Sequence, residues 1–198
     1  MKNRRLCLML TSLLVFAPAG AFALDEGVLS NLQTTKNCEG CDLSGAQLPS
    51  FDLTGMLLNE ADLKDADLTG ANLTGAMMNS VNLTGAKLKG ANLTGALMNE
   101  ATVKKADLSN AIMVGALMIE ADLSYANLSN ADLRGANLIE ANLTGADLTG
   151  ANLKGTQLIE ANLTDASLHK SNLEYTNLAE TIYCRTVMQD GTRNDSGC

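Results

Sequence analysis

Cys38-Glu-Gly-Cys41 is the segment of this chain whose spacing matches a catalytic pair. Two cysteines separated by two residues can exchange thiolate and disulfide, the chemistry of a thioredoxin-type redox centre. Such a centre is held by a strand–helix–strand unit, and no pattern of that kind surrounds these residues. Cys184 and Cys198 stand near the other end of the sequence. Carboxylates supply a second candidate: Glu60, Glu100, Glu120, Glu140, Glu160 and Glu180 share a twenty-residue register, broken only by Ser80. A divalent ion such as Ca²⁺ gathers about six to eight oxygens around one point. A straight column offers two at a time, so the reading it allows is weak cation binding. His169 is the sole histidine; with no paired nucleophile or second ligand, it is expected to be a solvated surface residue. Nothing resembles a nucleophile–base–acid set, a phosphate-binding loop or a metal-protease helix. The chain is therefore expected to be no enzyme, with no catalytic residue, metal or cofactor.

These residues sit on a five-residue repeat that runs from Cys41 to Tyr183 without a slip. Positions 43, 48, 53 and onward hold Leu, Met or Val until Tyr183; the residue two before is usually Ala, and the one between is mostly Asp or Asn. A helix advances about 100° per residue, so a strict spacing of five would wander around its surface. A strand alternates faces, which makes Ala-x-Leu read in, out, in. The next two residues, mostly Thr, Ser or Lys and then Gly, Asn or Glu, have turn composition. Each pentad is then a very short strand plus a corner. Gly occupies 55, 75, 95, 115, 135 and 155, and with the glutamate register this marks a longer repeat of twenty residues, four pentads to a coil. The expectation is an all-β solenoid, a quadrilateral parallel β-helix of roughly seven four-sided coils and about 34 Å in length at the usual strand spacing.

Ala-(Asp/Asn)-Leu-x-x in tandem resembles the motif of the pentapeptide-repeat proteins, and the likeness spans residues 41–183. It implies a right-handed four-sided β-helix with Leu and Ala inside. It brings no shared enzyme activity, hence no catalytic residue to carry over.

Four segments follow. Residues 1–23 read as a secretory signal peptide: Lys2, Arg4 and Arg5, an apolar run from Leu6 to Phe16, and a small-residue cleavage site at Ala21-Phe22-Ala23. An uncleaved membrane anchor is the alternative, since the uncharged stretch reaches Leu24, although that is marginal for a span. Residues 24–40 are expected to form an N-terminal capping helix, over 25–37, and the start of the first coil. Residues 41–183 form the β-helix and 184–198 a C-terminal capping tail. The rod sets the first two cysteines at one end and the last two at the other, so Cys38–Cys41 and Cys184–Cys198 are the pairs able to close. The second would pin the tail, at about 3 kcal/mol for a loop of that length. Cys38 falls in register with Leu58 and Cys41 with Ala61, which favours a buried cap pair over a redox centre. The Cys-bounded tail is similar to that of exported pentapeptide-repeat proteins, including lumenal ones of photosynthetic organisms. The oxidising compartment it implies is the periplasm or the extracellular space, or the thylakoid lumen.

Aromatic residues make up 3% of the chain and Trp is absent, so the interior must be built from Leu, Met and Ala. Removing the signal peptide takes away three of the 14 basic residues and none of the 22 acidic ones, leaving the mature chain at −11. That sign disfavours nucleic acid and anionic membrane as partners. Function would have to lie on the surface. Leu57, Met77, Leu97 and Leu117 hold the outward position before the core residue in four successive coils. Ile119, Ile139 and Ile159 hold the outward position after it, and Ile112 and Val114 extend the strip around a corner. Aligned in this way, they would make a patch on the order of several hundred Å², an interface for a partner protein or a second copy. Stacked apolar side chains also stabilise neighbouring coils, the plainer account of the same residues. The leading expectation is thus an exported, non-enzymatic scaffold. A different function follows from the resemblance: some cytoplasmic pentapeptide-repeat proteins mimic duplex DNA in shape and charge and bind DNA gyrase, which here would require a chain that is not exported. Thiol–disulfide exchange at Cys38 and Cys41 stands as a third.

Overall fold

The structure, a computed structural model, describes residues 35–198. Each pentad contributes one backbone bridge, and every bridge is parallel and joins residues twenty apart, from Asn37 with Leu57 to Ser167 with Val187. A β-turn follows each bridge, so four straight segments and four corners return the chain to its own register. We number the sides by their first described pentads: side one begins with 41–45, side two with 46–50, side three with 51–55 and side four with 56–60.

The pentad 126–130 shows how the unit works. Ala126 and Leu128 point inward and are fully buried, while Asn127 between them faces out. Leu128 N–H donates to Asp147 C=O of the next coil at 2.7 Å, and Asp147 N–H donates back to Ala126 C=O at 3.0 Å. Ala131 N–H then closes the turn onto Leu128 C=O at 3.0 Å. The second central residue of the turn, Asn130, has φ of 56°, as a type II turn requires. Glycine adopts that conformation without a Cβ penalty, yet Glu60, Glu100, Glu120, Glu140, Glu160 and Glu180 adopt it too, with φ of 56–59°. At all of these corners except Glu180 a bond to the next coil helps hold the left-handed residue, as Glu120 N–H donates to Ile139 C=O at 3.0 Å.

The outward Asp and Asn have a structural task. Thr54 N–H and Thr54 hydroxyl both donate to Asp52 Oδ1, and Asn72 serves Thr74 and Asn92 serves Thr94 in the same way. Such side-chain turns satisfy a corner N–H that the ladder does not reach.

Both ends depart from expectation. The capping helix over 25–37 lies mainly outside the described residues, as do the signal peptide and its cleavage residues Ala21 and Ala23. The last part of that span, 35–37, is not helical: Lys36 C=O already accepts Leu57 N–H and Asn37 bridges Leu57, so the ladder has claimed them. At the other end the ladder runs past Tyr183. Leu168 N–H donates to Val187 C=O, because Thr186 and Met188 continue the inward register. Only then does the chain double back, β1 (Thr186–Val187) pairing antiparallel with β2 (Arg193–Asn194).

Because each coil touches only its neighbours, a core deletion removes contacts from three coils at once. Leu128→Ala should lower stability by about 2–5 kcal/mol, read from urea unfolding. A loss below about 1 kcal/mol would mean the stack collapses around the gap.

Candidate functional site

Side four carries the apolar strip, and its hydrogen bonds explain why it can. On the other sides the outward Asp or Asn serves the turn N–H two residues on. Side four has Leu57, Met77, Leu97 and Leu117 in that place, which cannot accept a hydrogen bond. The turn N–H groups are met instead from the coil before: Asn59 Oδ1 accepts Asn79 N–H at 3.0 Å, Asn79 Oδ1 accepts Asn99 N–H at 3.2 Å, and Asn99 Oδ1 accepts Ile119 N–H at 3.1 Å. From Asn137 the arrangement changes over, its Oδ1 accepting Ile139 N–H at 3.1 Å. In the coils of Asn59, Asn79 and Asn99 one outward position is an amide that meets a turn N–H of the next coil and the other is apolar; in the coil of Leu117 and Ile119 both are apolar.

The strip is half-buried rather than open. Leu57, Met77, Leu97, Leu117, Ile119, Ile139, Ile159 and Val114 are all of intermediate exposure, each shaded by its neighbours above and below. Ile112, on side three, is 43% exposed. One border is the corner of glycines at 55, 75, 95, 115, 135 and 155, where a Cβ would meet nothing within 4 Å. Glycine there is not required by crowding, and the result is a bare ridge beside the strip. The other border is the corner of exposed glutamates. Asn59, Asn79 and Asn99 bond to one another and to Glu39 rather than to that column. Among the described residues no three His, Cys, Asp or Glu side chains converge to hold a metal ion.

Cys38 is bonded to Cys41 and Cys184 to Cys198, with Cα–Cα separations of 5.1 and 4.8 Å. Cys38 is buried in the first described coil and Cys41 packs against the core. His169 is not a free surface residue. It is half-buried, and the returning tail brings Gly191 close to its ring, a neighbour too distant in the sequence to foresee.

A feature the outward columns do not reveal lies at the C-terminal end. The four inward Ala positions of the last turn of chain are Ser171, Thr176, Thr181 and Thr186. Three of these hydroxyls donate to core carbonyls of the coil before: Thr176 to Leu153, Thr181 to Leu158 and Thr186 to Leu163, at 2.7–2.9 Å. Ser171 Oγ is buried and has no partner among the described residues. The change from Ala to Ser and Thr is visible in the inward column and fills the last turn of chain, and Thr156, one coil below Thr176, makes the same bond to Leu133 C=O at 2.7 Å.

Several surface carboxylates are held below the usual range. Hydrogen bonds from Ser44 and Thr54 do this at Asp42 and Asp52, and Arg185 and Arg193 do it at Asp165 and Asp195. At Asp122 burial opposes the shift, but Ser124 and Lys104 outweigh it. Their folded-state pKa values lie below the unfolded ones, so the stability they contribute is present above about pH 4 and lost as pH falls further. The melting temperature should therefore drop as pH is lowered from 4 to 2; a flat or rising profile would contradict these turns. Asn79→Ala, which uncaps Asn99 N–H, should cost about 1 kcal/mol in urea unfolding; no change would mean the amide ladder is ornamental.

Of the solved structures, HetL, a pentapeptide repeat protein involved in heterocyst differentiation regulation from the cyanobacterium Nostoc sp., is 32% identical over 80% of this chain and 78% of its own, with a TM-score of 0.40. A pentapeptide repeat protein from the Arabidopsis thaliana thylakoid lumen is 32% identical over 46% of this chain and 63% of its own, with a TM-score of 0.45. QnrB1, a plasmid-mediated fluoroquinolone resistance protein, is 20% identical over 71% and 88%, with a TM-score of 0.46. A search of curated proteins found no match. The family model for pentapeptide repeats matches in eight copies, over residues 37–75, 76–115, 116–155 and 146–182. With nearly all of the bridged coils so matched, the chain belongs to the pentapeptide repeat family.

Proposed function

We propose that this protein is an exported, non-enzymatic scaffold that binds a partner protein through side four. The observation that carries the reading is the hydrogen-bonding changeover at Asn137. Leu117 and Ile119 are both apolar in the coil capped by Asn99, and from Asn137 only the position after the core residue, Ile139, stays apolar, with both turn N–H groups paired. Stacking alone would be served by polar ladders of the kind that fill the other sides, such as Asn72 on Asp52 and Asn127 on Asp107. The half-exposed strip and the bare glycine ridge together offer an apolar track that a partner's backbone can approach closely. Export is supported by the signal-like segment 1–23 and by disulfides at both ends of the described rod, which persist in oxidising compartments. The DNA-mimic reading rests on negative charge and makes no use of this face.

The triple variant Ile119→Ser, Ile139→Ser, Ile159→Ser tests the proposal. It should keep the wild-type circular dichroism and melting cooperativity and lose the association that the wild type shows in the exported fraction, followed by crosslinking. Unchanged crosslinking in a folded variant, or protein found unprocessed in the cytoplasm, would overturn the assignment.

A further inference from the structure

Side four differs from the other sides in charge as well as in polarity. Between Met56 and Glu180 its pentads hold Glu60, Glu100, Glu120, Glu140, Glu160 and Glu180, and no Lys or Arg. The paired cations lie on other sides, where Lys104 meets Asp122, Arg134 meets Asp132 and Lys154 meets Glu174. Among the described residues none of the six corner glutamates is in an ion pair. All six are exposed, and from Glu100 to Glu180 they stand one per coil, about 4.8 Å apart. The turn does not call for them, because its left-handed φ is met more easily by glycine. A file of like charges at that spacing repels itself, and positive charge from outside would relieve it.

The apolar strip runs beside this file on an oblique course. Leu57, Met77, Leu97 and Leu117 lie on the glycine side of the core residue; Ile119, Ile139 and Ile159 lie on the glutamate side. Over five coil steps, about 24 Å, the strip shifts by two residues of strand, about 7 Å. It is therefore inclined to the rod axis by roughly 15°. A side is three extended residues wide, about 10 Å, which is the width of one α-helix. The stripe of a helix repeats about every 5.4 Å and slips against the coils by only about 0.6 Å a step. A strand laid the same way repeats its face about every 6.7 Å and misses the next coil by about 2 Å. At the far edge a helix meets the bare glycine corner, which leaves it room. We infer that side four receives an amphipathic helix of a partner protein, with Lys or Arg along the edge that faces Glu100 to Glu180. Its apolar stripe lies on the strip from Leu57 to Ile159, which about 16 residues of helix would cover. The inference rests on the reading of side four as a partner-binding face and adds what the partner presents.

The probes are three fluorescent peptides of about 18 residues, titrated into the purified protein and followed by anisotropy. The first carries an Ala and Leu stripe at helical spacing with Lys along one edge. The second has Glu in place of Lys, and the third has the residues of the first in alternating, strand-like order. The first should bind at least about tenfold more tightly than either of the others. Its helical circular dichroism should rise on binding, against a protein whose described residues hold no helix. Raising the salt from about 0.05 to about 0.5 M should weaken it. Glu100→Gln, Glu120→Gln, Glu140→Gln and Glu160→Gln together should remove most of its advantage over the second peptide. Ile119→Ser, Ile139→Ser, Ile159→Ser should abolish its binding in a folded protein. Equal binding of the strand-ordered or the Glu-edged peptide would overturn the inference, as would no binding by the first. So would binding that survives the isoleucine variant. If crosslinking in the exported fraction still depends on those isoleucines after such a result, the scaffold reading stands with an occupant of another shape. If it does not, that reading falls as well.

Discussion

Everything in this protein depends on the chain meeting its own backbone twenty residues later. That ladder takes the N–H of the bridge residue, the core residue and the corner residue in an interior pentad; the N–H of the small inward residue closes the turn, and one turn N–H is left to be satisfied by other means. Three demands follow. The inward positions must hold a small residue and then a long apolar one, because coils stack at a fixed strand spacing. The corner must be left-handed. The outward residue must offer an oxygen to the remaining turn N–H, which is why Asp and Asn recur between Ala and Leu. The five-residue motif is the list of these demands written in side chains.

On side four these demands are met in another way. Supplying the turn N–H from the coil before, through Asn59, Asn79 and Asn99, releases the bridge position for Leu or Met. When Asn137 resumes the usual role, the released position moves across to Ile139. An apolar track is thus carried along the rod with the turn N–H of each side-four pentad from Asn79 to Ile139 still paired. At the C-terminal end, where the ladder stops, hydroxyls replace Ala methyls and bond to core carbonyls of the coil before. Exposed ion pairs such as Lys104 with Asp122 and Lys154 with Glu174 add little by comparison.

Much of this was legible from residue order because the inward positions leave so little choice. The period, the four sides and the identity of the core residues all follow from which places admit only Ala or Leu. The N-terminal boundary was harder to see: Lys36 and Asn37 look like the end of a polar helix, but only the partner twenty residues later shows that they belong to a coil. His169 misled for a similar reason, since its neighbour Gly191 arrives through a reversal that no local pattern announces. The exposure of the strip could not be read at all. Outwardness is a local property, whereas the shading of Met77 by Leu57 and Leu97 comes from stacking. The hydroxyls at Ser171, Thr176, Thr181 and Thr186 are legible in the inward column, but the carbonyls they bond come from the coil before and appear only on stacking.

The central claim is that side four, alone among the sides, is occupied in the protein's native setting. Hydroxyl-radical footprinting tests it directly, by comparing the purified, dilute protein with the same protein in its native compartment. The account predicts that Leu97, Leu117, Ile119, Ile139 and Ile159 become protected while Tyr125, 61% exposed on another side, stays reactive. Equal reactivity of the strip in both settings, or protection spread evenly over all four sides, would contradict it.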